Sequence, residues 1–217
     1  MSSGMEALYP FLYDEPQGID SVLEAVRQST VEKAAEIVAV RRLVAERFGE
    51  QLEACARQMA ERFSAGGRLL TFGNGGSSTD AAAVAGIFLA GADDSRPLPA
   101  MTLTADVAVL TALGNDVGFD VVFARQVAAM GRRGDMAFAV STSGGSENVV
   151  RALEEARRRG LLTIGLAGYD GGRMAEIDLD FLFAVPSSSV HRIQEAQTTM
   201  YHVLWSLVQG ELAGGNT

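Results

Sequence analysis

Cysteine is nearly absent from this chain of 217 residues. Cys55 stands alone, which excludes an internal disulfide and any multi-thiolate metal site. It lies in an apolar helical stretch, where packing rather than reactivity is expected. Basic charge is also short: 18 Lys and Arg face 27 Asp and Glu, a net charge of −9. General nucleic-acid binding depends on neutralising backbone phosphates with such side chains, so no direct nucleic-acid partner is expected. An anionic ligand would have to be drawn by local dipoles and not by the overall field. The one dense basic cluster, Arg157-Arg158-Arg159, ends a helical pattern and complements the negative end of that helix dipole. No apolar run approaches the ~18 residues of a membrane helix. No charged-then-apolar leader opens the chain, and a cytoplasmic protein without membrane contact is expected.

The remaining composition, 47% hydrophobic and 21% charged, is that of an ordinary globule. Residues 1–18 carry Pro10, Pro16, Gly18, Tyr9, Phe11 and Tyr13 without a period, which predicts an irregular arm. Residues 19–65 turn helical: Val22, Ala25 and Val26, then Ala34, Ile37 and Val38, then Leu52, Cys55 and Met59 keep the three-to-four spacing. Gly49 is expected to divide this stretch into two helices, and its apolar stripe suits assembly. Over residues 66–217 short apolar runs alternate with helical patterns. Strands are predicted at 68–72, 100–104, 136–141, 161–166 and 179–185. Helices are predicted at 78–90, 106–113, 120–130, 146–159 and 190–212, with a short one near Met174. Such alternation implies a parallel sheet covered on both faces, with ligands beyond the carboxyl ends of its strands.

Two loops fall at such ends. One is Gly73-Asn74-Gly75-Gly76-Ser77-Ser78 and the other Ser141-Thr142-Ser143-Gly144-Gly145-Ser146. Each follows an apolar run and opens a helix, so N–H groups, hydroxyls and a positive dipole end converge where an anion can sit, with no lysine involved. Neither loop carries the GK[ST] of a P-loop or reads GxGxxG, which argues against a nucleoside triphosphate or a dinucleotide. Ser141, Ser143 and Ser146 could surround one phosphate. Ser146 stands as an N-cap, with the N–H groups of Asn148 and Val149 expected to donate back to it.

Five stretches in order, FGNGGSSTDA (72–81), LGNDVGFD (113–120), STSGGSENVVRAL (141–153), GLAGYDGGRMA (165–175) and RIQEAQTTMYHVL (192–204), resemble the SIS (sugar isomerase) domain family. Within it they are most similar to the phosphoheptose isomerase group. The resemblance implies an α/β, flavodoxin-like, doubly wound five-stranded parallel sheet with an N-terminal helical extension. It also implies a helical homo-oligomer, a dimer or tetramer, with phosphosugar sites at subunit interfaces. Carried over by position, Ser77, Ser141, Ser143 and Ser146 match the family's phosphate- and substrate-contacting hydroxyls, with Thr142 between them. Asn74, Gly75 and Gly76 match its first-loop contacts, and Asn115 and Asp116 its sugar-contacting pair. Gln194 and His202 match residues that reach the reacting end of the sugar and, in some members, a zinc ion. The family's reaction is an aldose–ketose exchange through an enediol, which needs a carboxylate and a histidine as acid and base.

The chain departs from that pattern after the first loop. Where the family reads DAxHFAAEL or DAxHFAEEL, this sequence has Ala83 in place of the histidine and Ile87 in place of the catalytic glutamate. Two zinc ligands go with them, and losing an acid–base partner forfeits about 10²–10⁴ in rate. Glu195, two turns before His202 on the same helix, is the other carboxylate available as a base. Asp80 is expected in the first turn of its helix, Asp116 on a sugar hydroxyl and Asp170 in a turn. The departure is similar in kind to that of the DnaA initiator-associating protein, a tetrameric SIS member. Two functions therefore stand: an isomerase of sedoheptulose 7-phosphate to a heptose 7-phosphate, or a non-catalytic phosphosugar-sensing or scaffold protein.

Overall fold

The computed structural model describes residues 19–91 and 95–214. The irregular arm expected over residues 1–18 lies outside the described residues. By compactness the chain forms two units, Met1–Ala39 and Val40–Thr217. A single helix, α1 (Ile19–Ser64), continues through Gly49, where the sequence predicts a break. A lone glycine costs a helix only about 1 kcal/mol. Phe48, Leu52, Cys55, Met59 and Phe63 are buried around and beyond it, and their burial outweighs that cost. Burial also pushes the Cys55 thiol pKa up, away from reactivity. In the first unit the described residues are helical, with Gln28 Nε2 donating to Glu32 Oε1 (2.7 Å). Val22, Leu23, Val26 and Val31 are exposed there.

In the second unit β1 (Leu69–Gly73), β2 (Ala100–Thr102), β3 (Met136–Val140), β4 (Leu162–Gly168) and β5 (Phe181–Val185) form one sheet. Its order is β2-β1-β3-β4-β5, with every pair parallel. Helices α2 (Gly76–Ala90), α3 (Val107–Asp116), α4 (Val122–Met130), α5 (Glu147–Arg158) and α6 (Val190–Gly214) cover it. Short 3₁₀ turns span Phe119–Val121 and Gly172–Ala175. This is the doubly wound order that the resemblance implies. Among the described residues no helix is long and apolar enough to cross a membrane.

Residue alternation along the strands divides the core into two layers. Leu69, Met136, Phe138, Ile164 and Phe183 pack with Phe48 and Met59 of α1, Phe88 of α2 and Leu204 of α6. Leu70, Phe72, Ala137 and Ala139 pack with Phe123 of α4 and Val150 and Leu153 of α5. Strands covered on both faces need continuous apolar runs, which is why LLTFG and MAFAV are buried at every position. At the amino ends of β1 and β3, Asp135 accepts from the N–H groups of Arg68 (2.9 Å) and Arg132 (3.0 Å). It also pairs with the Arg68 guanidinium at 2.8 Å. The basic cluster ends α5 as expected, with Arg158 and Arg159 on Glu155 and Arg157 on Asp178.

Candidate functional site

The two glycine–serine loops leave the carboxyl ends of the neighbouring strands β1 and β3. In the first, a Cβ on Gly73 would lie 2.6 Å from the carbonyl oxygens of both Ser77 and Val140. Only glycine lets the loop fold back so closely on the end of β3. Gly75 precedes α2 and offers no capping side chain. At the start of α2 the Ser78 N–H donates to the Gly75 carbonyl at 3.0 Å, while the N–H groups of Gly76 and Ser77 have no intrahelical acceptor. Ser77, the second residue of α2, is buried, 6% exposed. Asp80 is the fifth residue of α2 and so lies beyond the first turn, not within it as the sequence predicts. Half-buried, its carboxyl pKa is raised above the usual value by desolvation.

In the second loop the Ser141 and Ser143 hydroxyl oxygens accept from the N–H groups of Gly144 (3.0 Å) and Gly145 (3.2 Å). These bonds shape the loop and leave each hydroxyl proton available to an acceptor. Gly144 holds φ +63°, and a Cβ there would meet the Gly171 carbonyl oxygen at 2.0 Å. Ser146 occupies the N-cap of α5, but its hydroxyl makes no capping bond. Val149 and Val150 donate instead to its carbonyl oxygen, at 3.1 and 3.0 Å. The expected donation from the Asn148 and Val149 N–H groups to the Ser146 side chain is thereby corrected: the Ser146 carbonyl, not its hydroxyl, takes the Val149 bond. The Asn148 side chain turns to the other loop.

That turn joins the two loops. Asn74 Nδ2 donates to Asn148 Oδ1 at 2.8 Å, and Asn148 Nδ2 donates back to Asn74 Oδ1 at 3.0 Å. Gln194 comes from α6 against the first loop, its Nε2 2.5 Å from where a Gly76 Cβ would stand. Thr142 is half-buried and its carbonyl oxygen lies 2.5 Å from a Cβ on Gly168, so the end of β4 closes the second loop from behind. Gln197, fully buried, donates to the Ser141 carbonyl at 3.4 Å, while its Oε1 has no partner among the described residues. Sequence reasoning missed Asn148 as a clamp and Gln197 altogether. The available signal was a polar amide at inward positions of two otherwise apolar helix faces.

The other expected residues fall elsewhere. Asn115 and Asp116 end α3, exposed, with Asn115 Nδ2 bonded to Asp116 Oδ1 at 2.8 Å. Asp170 accepts from the Gly172 N–H (3.1 Å), as a turn residue does. His202 is exposed, its ring centroid 5.0 Å from that of Tyr201. It borders a cavity of about 400 Å³ with Ala83, Gly86, Ile87, Ala90, Gly91 and Trp205. His202 is the only titratable group in that lining. Glu195 is half-buried and ion-paired with Arg192. A larger cavity of about 790 Å³, between α3 and α4, holds Asp106 and Arg125 as its charged groups and no residue of either loop.

A parallel sheet in this order, with two uncapped helix starts clamped together at its carboxyl edge, defines an α/β protein of the anion-binding, doubly wound class. A family profile described as the SIS domain matches residues 34–168, and the chain belongs to that family, in its phosphoheptose isomerase group. It is 44% identical over 165 residues to the phosphoheptose isomerase of Aquifex aeolicus, covering 76% of this chain and 86% of the relative. It is 46% identical to that of Geobacter sulfurreducens over 183 residues, 76% of this chain and 94% of the relative. The solved phosphoheptose isomerase of Neisseria gonorrhoeae superposes with a TM-score of 0.80 at 34% identity, covering 85% of this chain and 99% of that one. For the one from Francisella tularensis the TM-score is 0.76 at 31% identity, over 90% and 100% of the two chains.

Proposed function

We propose that the protein binds a phosphorylated sugar whose phosphate sits between the two loops. The N–H groups of the first two residues of α2 and of α5 supply donors, with the hydroxyls of Ser77, Ser141, Ser143 and Ser146 and the backbone of Gly75, Gly76 and Thr142. Gln194 flanks the sugar, and Asn115 and Asp116 take its hydroxyls. The observation that carries this assignment is the reciprocal Asn74–Asn148 amide pair, which holds two uncapped helix starts together. The relatives' name supports sedoheptulose 7-phosphate and its heptose 7-phosphate isomer as the ligand class. The exposed apolar side chains of α1 support a homotetramer, and we place it in the cytoplasm on the family pattern. Titration calorimetry tests the assignment. Replacing Ser141 and Ser143 together by Ala is expected to weaken binding of sedoheptulose 7-phosphate and inorganic phosphate about tenfold or more. Unchanged affinity in that double variant overturns the proposal.

A second function, binding without isomerisation, is favoured by the cavity beside His202, where Ala83 and Ile87 offer no proton acceptor. The zinc ion of some family members does not fit these residues either. Ala83 and Ile87 carry no ligand atom, which leaves Gln194 and His202 where zinc takes four partners. Proton NMR of sedoheptulose 7-phosphate with the protein reads the exchange directly. Slow or undetectable turnover is expected, rising in the variant carrying Ala83→His and Ile87→Glu. Rapid exchange by the unaltered protein overturns this second function.

A further inference from the structure

We propose that Arg173 is a phosphate-binding residue of the second loop: its guanidinium rests on Glu147 and turns to the phosphate when one enters. This rests on the phosphosugar assignment above. Arg173 lies in the 3₁₀ turn Gly172–Ala175, and both of its chain neighbours touch the loop. A Cβ on Gly172 would meet the Ser143 carbonyl oxygen at 2.4 Å. On the other side the Met174 N–H donates to the Gly144 carbonyl at 2.9 Å. The Arg173 backbone is thus pinned against Ser143–Gly144. Its guanidinium pairs with Glu147, the first residue of α5, immediately after Ser146. Both ends of this side chain therefore lie beside the loop, and at 47% exposure it has room on its solvent side to swing.

The charges around it suit such a swing. Glu147 also holds Arg151 at 2.6 Å, and Arg151 pairs with Asp120 at 2.6 Å. Two guanidinium groups and two carboxylates form a chain of zero net charge. A phosphate monoester brings about −1.5 to −2 charges at neutral pH. It would arrive at a helix start whose favourable field Glu147 already shares, so it needs a compensating cation. Releasing Arg173 supplies one while Glu147 keeps Arg151, and no carboxylate is left unpaired. The guanidinium also fits phosphate oxygens in a two-pronged geometry that hydroxyls and N–H groups do not provide.

Calorimetric titration of the full chain with inorganic phosphate and with sedoheptulose 7-phosphate, at several salt concentrations, tests the proposal. Arg173→Met is expected to weaken both ligands roughly tenfold and to flatten the salt dependence. Arg173→Lys should recover part of the loss. Glu147→Gln should tighten binding severalfold, because Arg173 is no longer held. A merely structural ion pair predicts the opposite for Glu147→Gln, weakening alongside Arg173→Met. Unchanged affinity and salt slope in Arg173→Met, with binding lost in the Ser141 and Ser143 double variant, overturns the role of Arg173 alone. Wild-type binding in both overturns the loop assignment and this proposal together.

Discussion

Helices α2 and α6 meet twice, and the two meetings differ in chemistry. At their amino ends Gly76 and Gln194 touch beside the paired loops, where polar groups are bonded to one another across β1, β3, α2 and α5. About 10–16 Å further along α2, by helical rise, Ala83 and Ile87 share an apolar cavity with His202 and Trp205. The upper meeting is over-determined: Gly73, Asn74, Ser141 and Gly144 each answer to a partner at a fixed distance. The lower one is set by side-chain volume. A chain can keep the first while the second drifts, because loop geometry depends on backbone contacts and cavity chemistry depends on single side chains.

The strongest way to break this contrast is Gly144→Val. It places a branched side chain at positive φ against the Gly171 carbonyl, and a loss of about 3 kcal/mol or more is expected, together with phosphate binding. Urea unfolding and calorimetry would show both effects. Asn148→Ala is the next largest. It strands the Asn74 amide in a part-buried setting, so about 1–3 kcal/mol of stability should go, and phosphate affinity should fall while the lower cavity keeps its packing. Thermal unfolding with and without phosphate separates the two effects.

The smallest change sits between the two meetings, at Asp80. Its folded-state pKa is raised by burial, so the native state binds the proton more tightly than the unfolded chain does. Stability then falls as pH rises from the ordinary aspartate value through the raised one, a cost of ionising this carboxyl in the fold. Asp80→Asn should relieve it by at most about 0.5 kcal/mol at pH 7, given the partial exposure. Below the ordinary aspartate pKa the difference should vanish. Denaturant midpoints measured at pH 3 and pH 7 read the sign.

The sheet and the two loops were legible because their causes are local. LLTFG and MAFAV are apolar over whole strands, and glycine with serine at a strand end announces a tight turn before a helix. Gly49 misled because local propensity was weighed without the buried turns that follow it. The Ser146 hydroxyl was assigned to its own helix, but that helix start bonds to the Ser146 carbonyl instead. Nothing local could pair Asn74 with Asn148, since the contact exists only once β1 and β3 lie side by side. Arg173 was passed over for the same reason: its meaning comes from Gly172 and Met174 packing on a loop thirty residues upstream, roughly the length of one strand–helix–strand unit.

A cradle assembled from peptide N–H groups, serine hydroxyls, asparagine amides and an arginine has an uncommon operating property. None of these donors gains or loses a proton between about pH 5 and 9. A lysine, a histidine or a metal-bound water in the same place would give recognition a set point of its own. In the proposed cradle the group that titrates in that range is the visitor, whose second phosphate ionisation lies near pH ~6. Affinity measured against pH would trace the ligand's own titration curve, so the pocket would act as a gauge of how fully its guest is charged.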